Sequence, residues 1–418
     1  MPRRLSNAAL FTTAWTVLAA WTAAVATAEA PGPLATTGPK PPAADPPARE
    51  AVQDAVDRGV DFLIESQLPS GAWGTHSTGK YYRVYAPLPD AHFAFRTAVT
   101  GLAVSALIDA RPHASGERAE RLDKALRRGG EWLLKHSGEL RRAAPDFRAD
   151  RFGYTLYSVW GHAYTISALA AMERSSVFTA EEKQTIAPLI RRHVDRLASD
   201  CYLGGGWGYY DSRGRTQRPA GNSNCFATAT VLVALEDARL LGVRAPAAVK
   251  SGAIASIQRQ RFPDFAYAYG EHHVLRPRYS INRPAGSLGR SQVCNLALRL
   301  SGDEAVTDDV LRTWLDRLIA RNGWLSIGRK TQRPHESHFA IAGYFYYYAH
   351  LYAAMCVDLL PEAERAGYHG RLAGLLVPLQ EKDGSWWDFM LYNYHQQYGT
   401  AMAVSTLCRG MAVSAVTP

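Results

Sequence analysis

LQEKDGSWWDF (residues 379–389) repeats, near the far end of the chain, the plan of SQLPSGAWGTH (66–76): a glutamine, a short polar stretch, then Gly-x-Trp. Two more Trp follow a Gly-containing turn, in GGGWG (204–208) and RNGWL (321–325). Trp73, Trp207, Trp324 and Trp386 are therefore spaced as one or two multiples of a unit of roughly sixty residues, and a fixed period of that size marks a repeat architecture. The two unfilled slots fall at KHSGEL (135–140) and RFPDFAYAYG (261–270), where the turn survives in degenerate form. Six units are implied.

Each unit opens with an amphipathic segment whose apolar residues recur at three and four: 48–67, 117–136, 179–200, 245–260, 306–322 and 362–380. That is the helical period. After the turn comes a more uniformly apolar segment: 95–110, 157–174, 224–241, 290–300, 338–355 and 398–411. A helix without a polar face is buried on most sides. Six polar-faced helices alternating with six buried ones close into two concentric rings, and the last unit is as apolar as the middle ones, unlike the polar cap that ends an open solenoid. The expected fold is all-α, an (α/α)6 toroid of one domain over residues 50–418. In each turn a glycine (Gly71, Gly384) supplies the positive φ that a chain reversal needs. Trp73, Trp207, Trp324 and Trp386 are expected to cover the ends of their helix pairs, each indole N–H finding a partner near the surface. Gln67 and Gln380 are expected to cap backbone groups at the next inner helix.

Residues 1–28 lie outside that globule. Arg3 and Arg4 precede an apolar run from Ala8 to Val25 and the small residues Ala26-Thr27-Ala28, the layout of a cleavable secretory signal peptide, with an uncleaved anchor as the competing reading. The Pro/Ala-rich stretch 29–49 reads as a flexible linker. The chain is thus expected to be secreted or periplasmic, with membrane contact only through that leader and tether. Its 418 residues carry a formal charge of +9. The excess is spread along the chain rather than packed into runs, which excludes a nucleic-acid footprint. The five cysteines are scattered, with no Cys-x-x-Cys pair, and most are expected to act as small buried hydrophobes.

The stretches Gln67–Trp73 and Gln380–Trp386 resemble the Gln-Trp repeat of the squalene cyclase and protein prenyltransferase β-subunit superfamily, and the six-unit pattern extends the resemblance over nearly the whole mature chain. The resemblance implies the α/α toroid and a terpenoid-type ligand. The residues depart from the family's chemistries. The Asp-x-Asp-Asp cluster that protonates an alkene is missing, as is Asp-Asp-x-x-Asp; Asp303, Asp308 and Asp309 sit instead where carboxylates stabilise a helix N-terminus. Of the prenyltransferase zinc ligands, Cys225 and His395 are in similar places, but Ser223 stands where Asp is needed, and zinc favours three or four good ligands. No cofactor is implied.

What remains is a polar set near the starts of the inner helices: Asp90, His92, Arg96, His162, Asn224, Arg290, His338, Tyr394 and His395. Helix N-termini together with His and Arg favour an anionic or hydroxyl-rich ligand, although such groups also satisfy one another at helix ends. Tyr344 to Tyr348 cannot all face one way, so some are expected to line a cavity. Three functions stay open. The first is a toroid binding or transforming a terpenoid-like or other apolar small molecule. The second is a carbohydrate-active enzyme using Asp211 and Asp388 as an acid/base pair. The third is a non-catalytic scaffold.

Overall fold

The computed structural model describes residues 30–76, 89–140, 158–208, 222–336 and 340–414, with Pro89, Asp90, Pro284, Ala285 and Ser414 described in backbone only. The expected leader, residues 1–28, and Asp211 lie outside these residues. In chain order the helices are α1 (Pro33–Thr36), α2 (Arg49–Glu65), α3 (Pro89–Ala110), α4 (Gly116–His136), α5 (Ser158–Arg174), α6 (Ala180–Gln184), α7 (Ile186–Asp200) and α8 (Cys225–Leu240). They continue with α9 (Ala247–Arg259), α10 (Pro284–Leu300), α11 (Asp308–Ala320), α12 (Asn322–Ser326), α13 (Tyr346–Val357), α14 (Glu362–Leu376) and α15 (His395–Ser414). Among the described residues, β-pairing is confined to isolated bridges.

The apolar helices α3, α5, α8, α10, α13 and α15 touch in that order, and α15 returns to touch α3. This is a closed inner ring. The amphipathic α2, α4, α7, α9, α11 and α14 pack against it from outside, α2 against α15 as well as α3, so the first outer helix seals the last unit. The fold is the (α/α)6 toroid. Ala91–His113 is long and apolar enough to cross a membrane, but 67 % of its apolar window is buried as an inner-ring helix. All five cysteines are buried thiols.

Local chemistry explains where the elements depart from expectation. The outer helix of the third unit breaks at Thr185, because Pro188 removes an N–H and its ring crowds the carbonyl four residues back. The short α6 keeps its own capping box: Thr179 N–H donates to Glu182 Oε2 at 2.6 Å, and Glu182 N–H to Thr179 Oγ1 at 3.3 Å. At α11 the cap is Thr307, which accepts from Val310 N–H at 3.4 Å, while Asp308 and Asp309 occupy the first turn. The Pro/Ala-rich stretch is not a free tether over its described part. Arg317 donates to the carbonyls of Leu34 and Thr37, Ala35 is buried, and Lys40 pairs with Asp316. Its few small apolar groups suffice because α11 supplies the charges that hold it.

The Trp turns share one geometry in units one, three and six. Gly71, Gly205 and Gly384 adopt φ of 94°, 90° and 84°. Trp73, Trp207 and Trp386 are fully buried. Their indole N–H groups donate to Leu63, Leu197 and Leu376, ten residues back on their own outer helices. Their backbone N–H groups donate to Thr100, Thr228 and Thr400 on the inner helices. The indoles thus lock each outer helix end to its inner partner instead of facing the surface. Gln67 and Gln380 also reach further than expected. Each donates to the carbonyl of its own turn, Gly71 or Gly384, and to the outer helix of the next unit, at Ala125 or Ala55, all at 2.8–2.9 Å. The link from Gln380 to Ala55 closes the ring.

Unit four builds the same turn from other residues: Phe265 takes the glycine position at φ 61°, and the buried Tyr267 takes the Trp position, donating to Asn295 Oδ1 at 2.7 Å. RNGWL does not form the turn. Asn322–Ser326 stays helical as α12, no glycine there reaches positive φ, and Trp324 is 45 % exposed. Trp207→Ala is therefore expected to cost about 3–5 kcal/mol, and Trp324→Ala less than about 1 kcal/mol, as read by urea unfolding.

Candidate functional site

The N-terminal parts of α3, α5, α13 and α15, with the connections before α10, α13 and α15, surround a cavity of about 330 Å³. Ten of its walls are aromatic: Phe95 from α3; Trp160 and Tyr164 from α5; Tyr269 from the connection before α10; Tyr344, Phe345 and Tyr348 around the start of α13; and Phe389, Tyr394 and Tyr398 around the start of α15. Val99, Leu102, Leu391 and Met402 fill between them. Tyr344 and Tyr348 face inward while Tyr346 points away, donating to Asn322 Oδ1 at 2.7 Å, so the tyrosine run divides between cavity and core as its helical spacing requires.

The hydroxyls of this wall are already engaged. Tyr348 Oη is 2.8 Å from Thr230 Oγ1 and also donates to the Phe226 carbonyl. Tyr394 bonds to His92 Nδ1 at 3.2 Å, and Tyr164 pairs with Tyr352. Tyr269 and Tyr344 meet at 3.3 Å, and Tyr344 reaches His335 Nε2 at 3.4 Å. The wall therefore turns ring faces, rather than donors and acceptors, to the interior.

Beside the tyrosine hydroxyls and the Trp160 indole N–H, His335 is the polar side chain among the described lining residues. Its Nδ1 sits 3.2 Å from the Ala340 carbonyl. A carbonyl only accepts, so Nδ1 carries the proton and Nε2 keeps the lone pair that receives Tyr344. Burial lowers its pKa, which keeps the imidazole neutral and able to accept a proton.

Asp388 lies directly behind the wall, fully buried. Its carboxylate accepts Tyr398 Oη–H at 2.7 Å, Phe389 N–H at 2.7 Å, Tyr346 N–H at 3.1 Å and Tyr347 N–H at 3.3 Å. Burial pushes it up to about 6, against the lowering effect of these donors. It caps the start of α13 and reaches the cavity only through Tyr398. Asp211, proposed as its acid/base partner, is outside the described residues.

The structure scatters most of the polar set read from the sequence. Tyr394 lines the cavity; His92 sits behind it, edge-on to Tyr392 at 4.6 Å. Arg96 donates to the Gly74 carbonyl at 3.2 Å. His162 is buried between α5 and α7, its Nδ1 2.8 Å from His193 Nδ1. Asn224 holds the Tyr269 carbonyl at 3.2 Å. Arg290 is buried on three carbonyls, those of Gly286, Tyr267 and Ile281, with its guanidinium over the Tyr269 ring. His395 bonds to the Tyr392 carbonyl at 2.9 Å and packs edge-on to Trp387. Asp90 is described in backbone only, and His338 lies outside the described residues. These groups satisfy helix ends and loop carbonyls, as buried polar groups near termini must.

Cys225 and His395 do not converge on a metal. They lie on α8 and α15, opposite members of the six-helix inner ring. Cys225 pairs with Cys294, whose thiol burial pushes up. Among the described residues no three His, Cys, Asp or Glu side chains gather as metal ligands. The aromatic wall residues Phe95, Trp160, Tyr164, Tyr269 and Phe389 were invisible as a site in the sequence, because an aromatic on an apolar helix or in the connection before one reads as core until the ring's empty centre is known.

By fold the chain belongs to the α/α toroids. No family model matches it, and no curated relative matches it. Solved structures do. An unsaturated glucuronyl hydrolase from Streptococcus agalactiae is similar with a TM-score of 0.51 and 11 % identity, over 88 % of this chain and 93 % of that one. A possible GH105 family member from Klebsiella pneumoniae matches with a TM-score of 0.50 and 11 % identity, over 88 % and 94 %. A sugar epimerase from a ruminal bacterium matches with a TM-score of 0.50 and 11 % identity, over 86 % and 98 %. These neighbours are carbohydrate-active toroids. They accord with the carbohydrate-active expectation more closely than with the squalene cyclase resemblance, and at such identity what they show for this chain is the fold.

Proposed function

We propose that this toroid takes a small molecule with an extended apolar face into its central cavity, a terpenoid-like or similar apolar ligand. The aromatic wall carries the reading: ten rings with their hydroxyls turned to protein partners surround a volume suited to a small ligand. A cavity of this kind also argues against a purely structural ring. His335 Nε2 receives the Tyr344 hydroxyl and, behind the wall, Asp388 receives that of Tyr398, so a neutral imidazole and a carboxylate each stand one tyrosine away from an apolar ligand, and these tyrosines could relay a proton.

A second reading rests on a different observation. Three toroids of the same fold are named for action on sugars or for a glycosidase family, and a sugar ring presents C–H faces that stack on aromatic side chains. The neighbours bring the fold at 11 % identity without their side chains, whereas the wall is this chain's own, and so the apolar ligand leads.

Isothermal titration with farnesol and with a neutral or uronic-acid disaccharide separates the two. Farnesol is expected to bind, and Trp160→Ala to weaken it at least about tenfold by removing a large stacking face. Disaccharide binding without farnesol binding would transfer the function to carbohydrates. Binding of neither, with the fold intact by circular dichroism, would end the assignment of the cavity as a ligand site.

A further inference from the structure

The large apolar side chains left exposed are not scattered. Of the seven among the described residues, five stand in the connections from outer to inner helix of three successive units: Leu203 in the third, Leu275 and Tyr279 in the fourth, Trp324 and Ile327 in the fifth. They are between 44 and 90 % exposed, Leu275 the most. These three units are neighbours in the ring, since α8 touches α10 and α10 touches α13. The fourth and fifth connections line the cavity through Tyr269 and through Pro334, His335 and Tyr344, and the third, like them, leads from the end of an outer helix to the start of an inner one. Soluble surfaces rarely gather large apolar groups in one sector without a partner.

In the same connections exposed arginines outnumber the acids. Arg276, Arg278, Arg283 and Arg333 are exposed there, and none has a carboxylate partner among the described residues. Of the acids in these connections, Asp264 is held by Arg317 and Glu271 by Arg259, and Glu336 is half-buried. Exposed Leu, Ile, Trp and Tyr surrounded by unneutralised arginines are the composition that seats a protein in the headgroup region of an anionic bilayer, with apolar groups entering the acyl boundary and cations held by the lipid charge. Trp and Tyr add amphipathic rings suited to that depth.

We propose that this sector of the rim docks on an anionic lipid surface, with the cavity end of the ring turned toward the bilayer. The docking is separate from the leader, and it stands independently of the cavity's ligand, although an apolar ligand would then pass from the membrane into the ring without crossing water.

Vesicle cosedimentation tests it on the chain from Pro31 onward, the compact unit that holds the whole ring and omits the apolar run 8–25, which would bind lipid by itself. The unit is expected to sediment with phosphatidylglycerol/phosphatidylcholine vesicles, more weakly with phosphatidylcholine alone, and to be released as salt is raised. Leu275→Ser combined with Trp324→Ser and Ile327→Ser is expected to lower partitioning at least about tenfold. Arg276→Glu with Arg278→Glu is expected to remove the preference for anionic vesicles. Farnesol titration on the same variants should be unchanged, so a failed docking claim and a failed cavity claim are read separately. Absence of wild-type binding to either vesicle, or equal binding by the triple variant, overturns the proposal. So does concentration-dependent self-association that the triple variant abolishes without vesicle binding by either protein, which would make the sector a contact between copies.

Discussion

Gly384→Val is expected to unfold the ring rather than loosen one turn. Gly384 sits at φ 84°, a region that costs an L-residue about 1–2 kcal/mol and a β-branched one more. A Cβ at this position would lie 2.5 Å from the carbonyl oxygen of Arg58, a backbone atom that cannot swing aside. Arg58 belongs to α2, the first outer helix, so the clash falls on the seam between the last unit and the first. The turn is held to α2 by Gln380 to Ala55 and by the Trp386 ring packed against Gly59, and moving α2 to relieve the Cβ breaks both contacts at once. A loss of about 4 kcal/mol or more is expected. Gly71 and Gly205 face the same constraint, with a Cβ 2.4 Å from the Arg128 carbonyl and 2.2 Å from that of Gly252. Gly323→Val is the control. Its sequence context, RNGWL, looks like the others, but no heavy atom lies within 4 Å of its Cβ position, and less than about 1 kcal/mol is expected. Parallel urea unfolding of the two valine variants checks both. Equal losses would show that the turn glycines are not set by contact with the next unit.

The second large effect is acid sensitivity through the His162–His193 pair. The two imidazoles are buried with Nδ1 atoms 2.8 Å apart, and His193 Nε2 is 3.2 Å from Ser137 Oγ. Burial pushes His193 down to about 3, and burial followed by the neighbouring His193 charge pushes His162 well below the ordinary histidine range. Both are therefore neutral in the folded state at pH 7. In the unfolded chain each takes a proton near pH 6.5. Their contribution is fully present above that pH and is lost as pH falls from 6.5 toward 3, because the unfolded state binds protons that the folded state refuses. For His193 alone this amounts to about 3 kcal/mol between pH 6.5 and 4.5, at about 1.4 kcal/mol per unit. His350, pushed down to about 4 by burial, acts in the same direction. Asp388, pushed up to about 6, acts in the opposite one, gaining stability as it protonates below that value. The absolute pH curve mixes these groups, so the reading is a difference. The stability of wild type minus that of His193→Gln is expected to fall by about 1.4 kcal/mol per pH unit below 6.5. A flat difference would mean that the pair is not held neutral.

The ring was legible in the amino-acid string. Six apolar segments with no polar face have to be buried, six amphipathic ones have to cover them, and three Gly-x-Trp turns, with a Gly-Trp pair at a fourth place of the same period, set the connectivity. That inference depends only on periodicity and on glycine's access to positive φ, which are local properties. Even the degenerate fourth turn, with Phe265 and Tyr267 in the places of Gly and Trp, keeps the plan that its spacing implies. Tertiary structure decided which turns are real. RNGWL and DGSWW look alike as strings, yet one continues a helix and exposes its Trp while the other buries it. The difference is the backbone of the adjacent unit, to which a sequence string does not refer.

Tertiary structure alone also decided the site. His162, Asn224, Arg290 and His395 are chemically conspicuous in the sequence, but folding gives each of them to a neighbouring histidine or a backbone carbonyl. Phe95, Trp160, Tyr269 and Phe389 read as ordinary core, yet they face a cavity inside the ring. A side chain's role in a toroid depends on whether it points at a neighbouring helix or at the axis. That choice is made by ring closure between residues hundreds of positions apart, after every local rule has been obeyed.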